Sequence, residues 1–109
     1  MDKQKKQDTL LHAKLNLETA TMSWKDLERF FASGTLIAVE PELDLVDVAV
    51  HIANDDKATV EKWLKLGSIA KVSDTQAAAW HEQDAMLWTV VVKPWILVQA
   101  DKADRRNMH

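Results

Sequence analysis

The chain has 109 residues, 47% of them hydrophobic, so it is long enough for one domain whose core needs neither a disulfide nor a metal ion. It contains no cysteine, which excludes thiol catalysis, thiolate metal sites and disulfides. The net charge of −3 argues against nucleic acid as the main partner.

The predicted elements begin after a short polar start. Residues 1–8 are expected to form a disordered basic tail, and the pair Asp8-Thr9 precedes a helical pattern of leucines. This start has no apolar signal core, because charged and amide residues recur through it. A single domain is expected over residues 9–100, followed by a polar tail at 101–109, in a cytoplasmic protein.

A second helix is predicted between Ser23 and Gly34. Ser23 is a favourable N-cap, because its hydroxyl can accept a free backbone N–H of the first turn, and Asp26 adds negative charge there. Gly34 ends the helix in the left-handed conformation, and residues 35–39 read as a short strand. The apolar stripe of this helix consists of Trp24, Leu27, Phe30 and Phe31.

Two more helices are marked by their ends. Pro41 is expected to begin a third helix, which spans roughly Glu42–Ala53. Asp55 or Asp56 is expected to cap a fourth helix, which ends at Gly67.

A second strand and a fifth helix follow. Residues 68–72 read as a strand, and Ser73 with Gln76 matches a capping box. The fold class predicted from this order is α+β, with about five amphipathic helices packed on a small sheet of short strands.

Two segments of the chain are similar to each other. Residues 27–39 (LERFFASGTLIAV) align without a gap with residues 60–72 (VEKWLKLGSIAKV), at an offset of 67 − 34 = 33 residues. A helix–Gly–strand–helix unit is therefore predicted twice. Shared ancestry explains this, and so does the general likeness of amphipathic helices that end at glycine.

The stretch VVVKPWILVQ, residues 90–99, is expected to be extended. The β-branched run that begins at Thr89 favours a strand, and Lys93 is pushed out of the helical region by Pro94. A two-residue hairpin at Lys93-Pro94 is not expected, because such turns need positive φ. We predict a bent strand, or two strands that meet at a kink, with Pro94 at a sheet edge or bulge.

Four segments of the sequence resemble a known family: SWKDLERFFASG, IANDDKA, KVSD and KPWILVQ. The family consists of small bacterial proteins catalogued as domain of unknown function 2288. The resemblance covers about Leu15 to Ala100 and implies a free-standing bacterial cytoplasmic protein. It implies no activity, cofactor or catalytic residue.

The pattern that most strongly suggests a metal or catalytic site is an acidic stripe on the predicted third helix. Asp44, Asp47, His51 and Asp55 are spaced three, four and four residues apart, so they share one face. Such a face could hold a metal ion or pair a general base with an acid. A polar stripe is also what any amphipathic helix shows to solvent. No catalytic set or cofactor is predicted, and two glycines are too few for a phosphate-binding loop.

The five tryptophans suggest an interaction surface. Trp63 is expected in the core, whereas Trp88 and Trp95, with Lys93 and Pro94 between them, are predicted to form a binding surface. An unprotected edge strand there favours pairing with a second copy, which predicts a homodimer.

Three functional hypotheses follow. The first is a non-catalytic protein-interaction module, which binds a second copy or another protein but neither nucleic acid nor a membrane. The alternative is a metal-assisted or acid–base enzyme that uses Asp47 and His51, together with Asp55 or Asp56. It requires a cleft into which another element brings a carboxylate, His or Lys. A third hypothesis, nucleic-acid binding, conflicts with the acidic charge.

Overall fold

The structure, a computed structural model, describes the backbone of residues 2–100 and the side chains of residues 8–100. Within this part of the chain lie five helices and five strands, which confirms the predicted α+β class. In chain order they are α1 (Asp2–Glu18), β1 (Ala20–Ser23), α2 (Trp24–Ala32), β2 (Leu36–Val39), α3 (Leu45–Ala53), α4 (Lys57–Leu66), β3 (Ile69–Lys71), α5 (Asp74–Glu82), β4 (Met86–Val92) and β5 (Trp95–Ala100).

The strands form one mixed sheet in the order β1-β4-β5-β2-β3. Strand β2 runs parallel to β5, and the other neighbouring pairs are antiparallel. The β4–β5 hairpin therefore lies inside the sheet, while β1 and β3 form its two edges.

Helices cover both faces of the sheet, because successive side chains of a strand point to opposite sides. Ile37, Val90 and Leu97 point to the face that packs with α1 and α3 and carries α4 at its margin, which we call the front face. Leu36 and Ile96 point to the back face, which is covered by α2 and α5. In the described residues no helix is long and apolar enough to cross a membrane.

Several predicted helix ends are confirmed. The Ser23 hydroxyl accepts a hydrogen bond from the backbone N–H of Asp26, and Ser73 with Gln76 forms the predicted capping box. Asp56 caps α4, and Gly67 ends it with a φ of 76°.

The third helix begins later than predicted. It starts at Leu45 instead of Glu42, because the Asp44 carboxylate accepts the backbone N–H groups of Val46 and Asp47 and so forms the N-cap. The buried Gln99 side chain donates to the carbonyl oxygens of Glu40 and Leu43, at 2.9 and 2.7 Å. These bonds hold the residues before Asp44 as a loop on the front face.

The prediction against a hairpin at Lys93-Pro94 is wrong. Val92 pairs with Trp95, so Lys93 and Pro94 form a two-residue turn between adjacent strands, and the Lys93–Pro94 peptide bond is cis. A turn with cis proline at its third position reverses the chain without positive φ. Pro94 consequently lies at the end of an interior hairpin, neither on an edge strand nor in a bulge.

Other boundaries also differ from the predictions. The short edge strand β1 was not predicted, and β4 begins at Met86, three residues before Thr89. Helix α1 starts at Asp2, ahead of the Asp8-Thr9 pair. The predicted polar tail, 101–109, lies outside the described residues.

The twice-repeated unit is not confirmed. Both segments do follow the order helix–Gly–strand–helix, and both Gly34 and Gly67 have positive φ. They pack differently, however: α2 lies on the back face beneath an interior strand, and α4 lies on the front face beside an edge strand.

Candidate functional site

His51 is the centre of a small polar network on α3. Its Nδ1 atom lies 2.9 Å from Oδ2 of Asp56, the N-cap of α4, and its Nε2 atom lies 3.8 Å from Oδ1 of Asp47. The Trp63 ring stands edge-on to the imidazole, with 5.2 Å between ring centroids. The side chain is thus held by the start of α4 on one side and by the middle of α4 on the other.

The charge state of Asp56 determines the role of each imidazole nitrogen. Hydrogen bonds from Thr59, the larger cause, and from His51 lower the pKa of Asp56 below its ordinary value. This carboxyl group is therefore ionised near neutral pH. An ionised carboxylate can only accept, so Nδ1 of His51 donates to it. In the neutral imidazole, Nε2 is then left as an acceptor, which is the arrangement of an oriented general base.

Helix α1 forms the opposite wall of a cleft of about 660 Å³ beside this network. It contributes Asp8, Thr9 and His12, and the Asn54 side-chain amide donates to Oδ1 of Asp8 at 2.9 Å. We call this the His51 cleft. A second helix therefore brings a carboxylate and an imidazole to the stripe, as the enzyme hypothesis requires.

The four predicted metal ligands do not come together. Asp47 and His51 line the cleft, whereas Asp44 is used as the cap of α3 and Asp55, with a φ of 56°, lies on another surface. Across the described residues, no group of three or more His, Asp or Glu side chains could hold a metal ion. Of the four, Asp47 and His51 are the two that remain together beside the cleft.

A second concave surface, about 500 Å³ in volume, lies between α4, the end of β3 and the β4–β5 turn. We call it the α4 groove. Its apolar lining is formed by Ile37, Ile52, Val60, Leu64, Ile69, Pro94 and Trp95. Its charged lining is formed by Asp55, Asp56, Lys57, Glu61, Lys71 and Lys93.

Helix α4 turns a mixed face towards this groove. Lys57, Val60, Glu61 and Leu64 follow the spacing i, i+3, i+4, i+7, so they lie on one side of the helix. Trp63 lies on a different side and packs against the front-face core. Helix α4 is therefore held by Trp63 and by Val60, which also packs against this core, while its Val60–Leu64 face borders the groove; none of its residues is fully buried.

The charges around the groove are divided between its two sides. Asp55, Asp56 and Glu61 belong to the helix side, together with Lys57, whereas Lys71 of β3 and Lys93 of the turn belong to the sheet side. The ammonium group of Lys71 lies 6.0 Å from the centre of the Trp95 ring. Among the described side chains, neither Lys71 nor Lys93 has an ion pair with an acidic group.

The predicted interaction surface is divided by the fold. Lys93, Pro94 and Trp95 line the α4 groove together. Trp88 lies elsewhere, beside Gln99 and the loop before α3, with 41% of its surface exposed. The separation arises because Trp88 pairs with Gln99, at the end of the hairpin opposite the turn.

The residues missed by sequence reasoning come from other elements. Of Asp55 and Asp56, the two further carboxylates of the enzyme hypothesis, Asp56 reaches His51. Val60 and Leu64 of α4 were not identified as the wall of a groove. His12 of α1 lines the cleft and is exposed. A local signal existed for Asp56 alone, because its role as an N-cap fixes its position near the end of α3.

Comparisons with known proteins identify a matching family model and a similar solved structure. A family model described as "Protein of unknown function (DUF2288)" matches residues 10–100. The NMR solution structure of PA1075 from Pseudomonas Aeruginosa is similar, with 46% sequence identity and a TM-score of 0.74, over 85% of this chain and 88% of that chain. No curated protein matches the sequence.

Proposed function

The chain belongs to the family described as a protein of unknown function (DUF2288), and from this premise we propose that it is a small non-catalytic protein-interaction module of the cytoplasm. The α4 groove is its docking site. The partner that fits is a protein segment that presents apolar side chains between charges of both signs.

The observation that carries this proposal is the helix face beside the groove. Leu64 is 50% exposed although it lines an apolar cavity, and Trp95 is half-buried across from it. Apolar surface removed from water contributes roughly 25 cal/mol per Å², so covering these side chains stabilises a complex. Tryptophan in a concave site is also the residue type that contributes most often to binding.

The groove is tested with anilinonaphthalene sulfonate, an anionic dye with apolar rings whose fluorescence rises when the rings bind apolar surface. The wild-type chain at low concentration is expected to bind it, and Trp95→Ala is expected to weaken binding about thirtyfold, since a central tryptophan contributes on the order of 2 kcal/mol.

Trp88→Ala is the matched control, because Trp88 is an exposed tryptophan of the same hairpin outside the groove. It is expected to leave dye binding unchanged. Equal loss in both variants, or no loss in Trp95→Ala, would contradict the groove as a binding site.

A second candidate function, acid–base chemistry, is favoured by the His51 cleft. The Nδ1 atom of His51 is held by Asp56, and among the described side chains its Nε2 atom has no ion-pair or hydrogen-bond partner nearer than Asp47 at 3.8 Å. The cleft between α3 and α1 offers space for a small substrate next to this nitrogen.

Turnover of p-nitrophenyl acetate tests this candidate with a matched histidine. His81 forms a similar pair, with Nδ1 3.0 Å from Oε1 of Glu28, and its side chain is 67% exposed. His51→Gln is expected to lower turnover about tenfold, a small part of what a positioned base contributes, and His81→Gln to leave it unchanged. Equal rates in wild type and His51→Gln exclude this chemistry for the probe.

Metal binding at Asp47 and His51, which the metal-assisted form of this chemistry requires, is a separate prediction. Zn²⁺ is titrated calorimetrically into the wild-type chain and into the double variant Asp47→Ala with His51→Ala. Weaker binding by the variant is expected, and unchanged binding contradicts a metal site at these two residues.

A further inference from the structure

We infer that the occupant of the α4 groove is a second copy of this chain, arranged about a two-fold axis that runs along the groove. The inference rests on the proposed docking function and names the partner at that site. It follows from the shape of the groove and from the division of charge between its two sides.

The apolar part of the groove has a helix on one side and a hairpin end on the other. Val60 and Leu64 line the helix side, while Pro94 and Trp95 line the sheet side. A helix with the spacing of α4 inserts i, i+3 and i+4 side chains into a groove of this kind. Helix α4 of a second copy has that spacing, and its Leu64 is available because half of its surface is exposed.

The charged part of the groove is self-complementary. Glu61 and Asp55 lie on the helix side, and Lys71 and Lys93 lie on the sheet side without an ion pair among the described residues. A rotation of 180° about the groove direction places the helix side of each copy over the sheet side of the other. Asp55 and Glu61 of each copy then face Lys71 and Lys93 of the other, and symmetry makes these contacts occur twice, whereas Lys57 is a helix-side lysine and adds no attractive contact.

Alternative occupants match the charges less well. A ligand with a single negative charge would be attracted by Lys71 and Lys93 but would also face Asp55 and Glu61. A basic segment would be attracted by Asp55 and Glu61 but would also face Lys71 and Lys93. Only an occupant with the same two-sided pattern satisfies both sides, and the chain itself carries that pattern.

The decisive experiment uses two charge reversals on opposite sides of the groove, Glu61→Lys and Lys71→Glu, and measures mass by analytical ultracentrifugation at high micromolar concentration. The wild type is expected to have twice the 12.4 kDa mass of one chain. Each variant alone is expected to associate at least about tenfold more weakly, because like charges then face each other at two symmetric contacts.

Mixing the two variants is expected to restore association. In the mixed pair, position 61 of one copy and position 71 of the other carry opposite charges at both contacts. Damage to the fold of either chain would not be repaired by mixing. Lys93→Glu replaces Lys71→Glu where circular dichroism shows that the Lys71 variant is unfolded.

The outcomes separate the partner from the docking site. A wild type that stays at 12.4 kDa overturns the second copy as occupant, and dye binding sensitive to Trp95→Ala then still supports the groove as a docking site. A dimer that none of the charge reversals weakens places the contact elsewhere and also overturns the inference. Dye binding that falls as the wild type associates supports both the groove as a docking site and the second copy as its occupant.

Discussion

The two helix–Gly–strand segments, α2–Gly34–β2 and α4–Gly67–β3, have similar sequences and different surroundings. In α2, Trp24 and Leu27 are almost completely buried, with 2% and 0% of their surfaces exposed. In α4, no residue is buried to that degree, although its stripe occupies the same positions.

The difference comes from where each strand lies in the sheet. Strand β2 has neighbours on both sides, β5 and β3, whereas β3 is an edge strand of three residues. Helix α2 therefore packs on a broad back face beside α5, while α4 lies at the margin of the front face. One apolar pattern thus becomes core in the first segment and the wall of a groove in the second.

The largest expected effect compares matched positions in the two apolar stripes, Leu27 and Val60. Leu27→Ala is expected to lower the free energy of unfolding by about 2–5 kcal/mol, because it removes a fully buried side chain and leaves a cavity. Val60→Ala, at a half-buried position, is expected to cost about 1 kcal/mol or less. Urea unfolding of both variants measures the difference. Equal losses would show that α4 is as much a part of the core as α2.

The same contrast shows which features could be predicted from the sequence. Caps depend on chemistry within one turn, so Ser23, Ser73 and Gly67 were identified correctly. Strand order depends on contacts between distant residues, so the interior position of the β4–β5 hairpin could not be read from its own residues.

The sites were predictable only where they lie on one element. The step from Asp47 to His51 follows from helical spacing alone. The contributions of Asp56 from the start of α4, and of His12 from α1, require the packing of three helices. Likewise, Lys93, Pro94 and Trp95 were selected as a surface, but Lys71 and Leu64 join them only through the fold.

The second prediction concerns what the two segments share. Gly34 and Gly67 have φ values of 78° and 76°. A Cβ atom added at Gly34 would meet only the Lys71 ammonium group, at 4.0 Å, and a Cβ atom added at Gly67 would meet nothing within 4 Å. Gly34→Ala and Gly67→Ala are therefore each expected to cost about 1–2 kcal/mol, from the left-handed backbone alone. A much larger loss at Gly34, measured by urea unfolding, would mean that the interior segment adds a steric cost.

The third prediction uses the two N-caps, of which only one titrates. The pKa of Asp56 is lowered by Thr59 and by His51, so its stabilising contribution is complete above the ordinary pKa of the group and is lost as pH falls through the lowered value. Ser23, the cap of α2, has no charge to lose.

Asp56→Asn is expected to remove that part of the acid loss of stability, whereas Ser23→Asn is expected to leave the pH profile unchanged. Urea unfolding across the acid range, with carbon-detected NMR titration of Asp56, provides the measurement. An Asp56 that titrates at or above its ordinary pKa would contradict the network at His51.

The smallest expected effect is at Leu64, the position in α4 that matches Phe31 in α2. At low protein concentration Leu64→Ser is expected to change the free energy of unfolding by no more than about 0.5 kcal/mol, because half of the side chain is already exposed. Leu17→Ser, at an 86% exposed position on α1, is the matched control and is expected to behave alike under these conditions.

At high protein concentration the two variants are expected to behave differently. An associating chain unfolds at a denaturant concentration that rises with protein concentration, because binding stabilises the folded state. Leu64→Ser should lose this dependence and Leu17→Ser should keep it. If both variants keep it, Leu64 is an ordinary surface residue, and the exposed face of α4 reflects only the edge position of β3 rather than a contact with another chain.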